Sequence, residues 1–248
     1  DCGAQAFGST DPAALIAMRA IDLMEQEFAE SSNLLMKVKT AREIREAKKM
    51  GKIALFYAVE GAKPLGESIG NLRNFYNLGL RLVQLVWDLR NFVADGLRER
   101  SKSGLSNFGY DLVNELNRLG VIIDLSHIST AGFYDVLETS KDPVIASHAN
   151  VRAVCDHPRN LTDEMIKALA EKGGMQGMCA FPLHISQKEP SVEKLLDHVD
   201  YITKLVGADH VGLGFDFADY FVRCEYELHL QAMGTVPRNP KALTSSGL

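Results

Sequence analysis

The chain has 248 residues, 46% of them hydrophobic and 24% charged, with a formal net charge of −5. These values describe a globular chain long enough for one α/β barrel, and the acidic balance argues against a nucleic-acid partner, whose phosphates require a basic surface. No stretch approaches the roughly 18 apolar residues of a membrane span. The four cysteines (Cys2, Cys155, Cys179, Cys224) form no CxxC pair, so free thiols in a reducing, cytoplasmic compartment are expected rather than a disulfide framework.

Strand-like and helix-like stretches alternate along the chain. Residues 2–7 read as a strand, and residues 12–31 read as a helix with Leu15, Met18, Ile21, Met24 and Phe28 at helical spacing. Asp11 is its expected N-cap, with Pro12 at the first helical position, where a missing N–H costs nothing. A helix over 41–50 leads through Gly51 to a strand over 53–59, and a helix over 69–78 stops at Gly79 before a strand over 80–87. A loop with Asn91, Asp95 and Gly96 follows. Helix 110–119 ends at Gly120 and feeds strand 121–125; helix 130–139 leads through Pro143 to strand 144–147. Thr162 caps a helix running to 171, followed by strand 175–181, helix 192–206 and strand 210–215.

Seven strands, six of them preceded by a helix, signal βαβ units on a parallel sheet. The fold class is α/β, and the expected architecture is a (β/α)8 TIM-type barrel of the metal-dependent hydrolase kind, incomplete by one strand. A doubly wound open sheet is the alternative, but no GxGxxG follows a strand; Gly212-Leu213-Gly214 lies inside one and lacks the third glycine. No linker or repeat divides the chain, so a single domain over 1–248 is expected. The chain opens on Asp1 rather than Met and closes without a terminal helix, so an interior piece of a longer protein is expected.

The residues at the C-terminal strand ends are Glu60, Trp87, His127, His148, Phe181 with Pro182, and Asp216. In a parallel barrel these ends converge on one pocket, where polar residues read as catalytic. Glu60 closes a buried apolar run and needs a metal or cationic partner to offset desolvation; the competing reading is a structural ion pair. A lone histidine is usually a satisfied core residue. The repetition of Ser-His after two successive apolar runs instead favours metal ligation by His127 and His148, and a His/Glu set suits zinc. Asp216 is a candidate ligand or general base, against a turn or cap aspartate. Arg159 could clamp a substrate carboxylate, against a surface salt bridge. His157 reads as a turn residue capping the next helix. His184, His198, His210 and His229 share no pattern, and Trp87 either walls a substrate pocket or packs.

At these residues the chain resembles the membrane dipeptidase (renal dipeptidase) family of zinc peptidases. The resemblance runs over nearly the whole chain. It rests on Ala58-Val59-Glu60-Gly61, Asn71-Leu72-Arg73, Asp124-Leu125-Ser126-His127, Ser147-His148-Ala149-Asn150, His157-Pro158-Arg159-Asn160-Leu161 and Gly212-Leu213-Gly214-Phe215-Asp216-Phe217, in that order. It implies an eight-stranded barrel with two zinc ions, Glu60 bridging them and His127 with His148 on the second. It further implies that Arg159 holds the substrate's C-terminal carboxylate, that Asp216 shuttles a proton, and that the substrates are dipeptides, including those with a C-terminal D-residue. A homodimer is also expected.

Two departures stand out. The family's first strand carries a His-x-Asp pair for the first zinc, and none of this chain's expected strands carries one, so one half-site is expected here and little activity from residues 1–248 alone. Trp87 stands where the mammalian enzymes have a substrate-contacting histidine, which would replace a donor by an apolar wall. The rival readings are another metal-dependent amidohydrolase-type barrel hydrolase, a non-catalytic barrel scaffold, and a glycosidase using Glu60 and Asp216. The last leaves both Ser-His motifs unexplained.

Overall fold

The computed structural model describes residues 12–217. Helix α1 (Ala13–Glu30) precedes β1 (Leu35–Lys37), α2 (Ala41–Lys49) and β2 (Ile53–Leu55). β1 and β2 pair in parallel as a small separate sheet, with Leu35 opposite Ile53. The main sheet begins at β3 (Tyr57–Glu60) and continues through α3 (Ile69–Leu78), β4 (Leu80–Gln84), α4 (Asn107–Leu119) and β5 (Ile122–Asp124). Next come α5 (Thr130–Thr139), β6 (Ile145–Ala146), α6 (Asp163–Glu171) and β7 (Met175–Met178). A short α7 (Pro182–Ile185) and then α8 (Val192–Val206) lead to β8 (Val211–Leu213).

The six strands of the main sheet lie in the order β3-β4-β5-β6-β7-β8, each neighbouring pair parallel. Every crossover carries a helix, as a parallel connection requires. A doubly wound sheet would reverse at a switch point; this strictly sequential winding is that of a (β/α) barrel, and it puts all six C-terminal strand ends on one edge.

Local chemistry explains where the helices start. Ser68, Ser106, Ser129, Thr162 and Ser191 each accept a hydrogen bond from the backbone N–H three residues on. Each thereby satisfies a donor that the first helical turn leaves unpaired, an effect of ~1 kcal/mol. The cap at Ser106 starts α4 three residues earlier than the apolar spacing implied. Gly120, at φ 68°, ends that helix in the left-handed conformation. The core lies between sheet and helices, where Val83, Ile123 and Ala146 meet Leu116, Phe133 and Ile166, all essentially excluded from water.

The structure corrects several boundaries. The strand expected over 53–59 is two strands: the chain leaves β1 as its partner after Leu55 and joins β4 from Tyr57, with a register shift at Tyr57/Ala58. β1 itself was not expected, because Leu-Met-Lys is too short to show a period of two. The strand expected to reach Trp87 stops at Gln84. Beyond it the chain folds on its own polar groups: Asn91 Nδ2 donates to the Leu85 carbonyl and Asn91 Oδ1 accepts from Val93 N–H. α1 starts at Ala13, with Pro12 as its N-cap rather than its first helical residue, and the Pro12 carbonyl accepts from Leu15 N–H; Asp11 and the strand expected over 2–7 lie outside the described residues. No helix among the described residues is long and apolar enough to cross a membrane.

Candidate metal centre

β3, β5 and β6 end on the same edge, and the residues just past them converge. Glu60 closes β3, His127 lies three residues past β5 and His148 two past β6. One ligand atom from each lies within 4.8 Å of the other two. His127 Nε2 is 3.3 Å from Glu60 Oε1, His148 Nε2 is 3.6 Å from the same oxygen, and the two Nε2 atoms are 2.9 Å apart. Both rings are buried, whereas about a third of the Glu60 side chain faces solvent.

The proton on each ring is assigned by its other nitrogen. His127 Nδ1 donates to Asp88 Oδ1 at 2.7 Å, since a carboxylate can only accept. His148 Nδ1 is 2.7 Å from Ser147 Oγ, and that hydroxyl already spends its own proton on Asp124 Oδ2, so it accepts from the ring. Both Nε2 atoms therefore present lone pairs to each other and to a carboxylate oxygen. Such an arrangement repels itself unless a cation or a shared proton sits among the three groups. Two neutral imidazoles and a carboxylate form a donor set that suits zinc, and the carboxylate supports behind the rings are those of ligating histidines.

Asp124 ties the two Ser-His segments together. Its Oδ1 accepts from Ser126 N–H and Ser147 N–H, both at 2.9 Å, and Ser126 Oγ accepts from His148 N–H at 3.1 Å. Packing behind Ser147 is equally close. A β-carbon on Gly177 would lie 1.9 Å from the Ser147 carbonyl oxygen, and one on Gly214 would lie 1.7 Å from it. Only glycine permits β7 and β8 to approach the segment that carries His148.

The electrostatics follow from this crowding. Burial opposes ionisation of Glu60, but a proton or cation held between its oxygen and His127, and then the Arg159 guanidinium, outweigh it and hold the carboxyl below its ordinary range. Burial, then the Arg159 and His127 charges, push the His148 imidazole down to about 3, so that ring is neutral at physiological pH. Asp216 retains solvent access at φ 58°, yet the protein mass around it and then the Glu60 charge push its carboxyl up to about 6.

Arg159 is buried rather than on the surface. Its Nη2 donates to the His148 carbonyl at 3.1 Å, and its backbone N–H donates to His157 Nδ1 at 3.2 Å. His157 therefore orders the Arg159 turn and does not cap α6, whose cap is Thr162. Trp87 is half-buried with its ring centroid 5.9 Å from that of His127. His198 is a core residue, accepting from Val151 N–H and donating to the Ile185 carbonyl. His184 is buried against Phe181 and His157, and His210 donates to the Gly174 carbonyl. His229 lies outside the described residues. Sequence reasoning missed Asp88 and the role of Asp124. Asp88 immediately follows Trp87 and Asp124 opens the Asp-Leu-Ser-His segment, but neither spacing says which ring the carboxylate would reach.

The family model for membrane dipeptidase (peptidase family M19) matches residues 8–227. Dipeptidase verJ of Clonostachys rogersoniana is 36% identical over 202 residues, covering 81% of this chain and 52% of that protein. Dipeptidase tcpJ of Claviceps purpurea (strain 20.1) is 33% identical over 230 residues, covering 91% of this chain and 52% of that one. The chain thus spans about half the length of the curated relatives it matches. Among solved structures, an amidohydrolase from Pseudomonas aeruginosa superposes with a TM-score of 0.79 at 32% identity, over 83% of this chain and 63% of that one. A metallo peptidase from Rhodobacter sphaeroides, liganded with a phosphinate mimic of the dipeptide L-Ala-D-Ala, gives 0.75 at 29% identity over 92% and 70%. With the sequential parallel sheet and the strand-end Glu60, His127 and His148 already described, these matches establish that the chain belongs to the membrane dipeptidase family, peptidase family M19.

Proposed function

We propose that this chain carries the metal centre of a zinc-dependent dipeptidase, with Glu60, His127 and His148 as the zinc ligands. The observation that carries the proposal is the pair of Nε2 atoms facing each other at 2.9 Å, both rings protonated on the far side. Bound there, zinc supplies Lewis-acid polarisation of an amide carbonyl and a water acidified toward neutral pH. Among the described residues this is the one cluster that could hold a metal ion.

The remaining roles belong to the chain's own side chains. Arg159 orients a substrate by its free C-terminal carboxylate, which would confine the site to short peptides. Trp87 walls the pocket beside His127. Asp216, ionised above about pH 6, takes a proton from the attacking water and returns it to the leaving amine. The Rhodobacter sphaeroides relative holds a mimic of L-Ala-D-Ala, which supports dipeptides with a C-terminal D-residue as substrates here. A homodimer and a cytoplasmic location are part of the same proposal.

A substrate panel tests it. The zinc-loaded whole protein should release amino acids from dipeptides, and blocking the C-terminal carboxylate as an amide should abolish turnover. Hydrolysis of cyclic amides or phosphoesters in preference would favour the wider amidohydrolase reading. Zinc binding without any turnover would favour a scaffold.

A further inference from the structure

The loop after β4 places a carboxylate directly behind one of the two imidazoles. Asp88 is buried, at φ 39°, and receives the His127 Nδ1–H on Oδ1 at 2.7 Å. Its other oxygen lies 3.3 Å from Arg98 Nε. The backbone fixes this arrangement from both sides. Arg98 N–H donates to the Asp88 carbonyl and Leu97 N–H donates to the His127 carbonyl, both at 2.8 Å. Between them Gly96 passes so close that a β-carbon there would lie 2.2 Å from the Asp88 carbonyl carbon and oxygen. His127 is itself held at φ 69°, a conformation that a non-glycine residue keeps only when its surroundings impose it.

We propose that Asp88 is the positioning residue of His127: its carboxylate keeps the ring proton on Nδ1 and aims the Nε2 lone pair at the zinc shared with His148 and Glu60. This rests on the zinc reading given above. A neutral imidazole has two tautomers, and only one of them can ligate through Nε2. Asp88 selects that tautomer directly with a full charge. His148 receives the equivalent support one step removed, through Ser147 to Asp124. Arg98 engages the second Asp88 oxygen, which prevents the carboxylate from swinging away and offsets its charge. Asp88 touches no reacting atom in this account; it acts through His127.

The test uses Zn2+ alone as the probe, with affinity measured by competition against a chromogenic chelator. Asp88→Asn keeps a residue tolerant of positive φ and removes the charge, and it should weaken Zn2+ by roughly 10–100-fold. In the metal-free protein, NMR of 13C,15N-labelled histidine should show the wild-type His127 proton on Nδ1. In Asp88→Asn the same ring should shift toward a tautomer mixture while the amide spectrum elsewhere is unchanged, which a merely structural role would not produce. Wild-type Zn2+ affinity in Asp88→Asn would overturn the proposal and leave the zinc site standing. A wild-type His127 ring without a proton on Nδ1 would overturn it whether or not the variant folds. Failure of the wild type to bind Zn2+ would remove the metal reading and this inference with it.

Discussion

His127 Nε2 and His148 Nε2 lie 2.9 Å apart, each with its ring proton committed on the opposite side, to Asp88 and to Ser147. Two lone pairs do not hold each other at hydrogen-bond distance. The contact is therefore an electrostatic debt of the fold, settled only by a cation or a proton, and the Glu60 oxygen beside it sets the charge balance toward a metal.

Removal of one imidazole should be far more damaging than removal of its support. His148→Ala is expected to lower zinc affinity by more than the ~10–100-fold typical of outer-shell changes. Ser147→Ala should fall within that range, because the ring loses only its orienting acceptor. Chelator competition on the two variants checks the order; equal losses would contradict it.

Asp216→Asn should keep zinc and lose ~10²–10⁴ in kcat, the usual contribution of a positioned general base. Wild-type kcat–pH data should show an acid limb below the metal-free carboxyl value of about 6, because a cation bound at Glu60 offsets the charge that helps to raise it. Stability should respond in the opposite sense. A carboxyl raised above its ordinary value of 3.8 binds its proton more tightly folded than unfolded. Its contribution is full below that ordinary value and is lost as pH rises through about 6. Metal-free Asp216→Asn should thus melt higher than the wild type at pH 7, with the difference gone by about pH 4.

Arg159→Ala should act mainly on KM. Hydrogen bonds to charged groups are worth ~1.5–3 kcal/mol, so KM for a dipeptide should rise by ~10–100-fold with kcat little changed. Because Arg159 is buried and donates to the His148 carbonyl, a lower melting temperature should accompany the effect. An unchanged KM would remove Arg159 from the substrate site.

Gly177→Ala tests whether the strand packing positions the ligand. The new β-carbon would meet the Ser147 carbonyl oxygen at 1.9 Å, so β6 or β7 must move and carry His148 with it. Loss of ~1–3 kcal/mol of stability is expected from overpacking, together with weaker zinc binding. Unaltered zinc affinity would show that the ligand shell tolerates displacement of Ser147.

Much of this was legible in the sequence, for identifiable reasons. Helix ends were readable where a single residue decides them, as at Gly79, Thr162 and Gly207. The clustering of Glu60, His127 and His148 was readable because each follows an apolar run, and sequential parallel winding brings such ends to one edge. What stayed hidden depends on pairing across the sheet. Nothing in residues 53–59 marks Phe56 as the point where the chain changes partner strand. The ring that Asp88 reaches is set by how the 85–106 loop folds back over β5, and the two backbones clamped by Asp124 are set by the β5–β6 register. Arg159 could not be placed inside or outside from its motif; burial of its turn decides that.

The most direct test is zinc bound per folded chain, by elemental analysis after gel filtration, with His127→Ala and His148→Ala alongside. The account predicts about one equivalent on the wild type and little on either variant. A folded wild type without zinc, or variants that retain it, would contradict the assignment of Glu60, His127 and His148 as a metal centre.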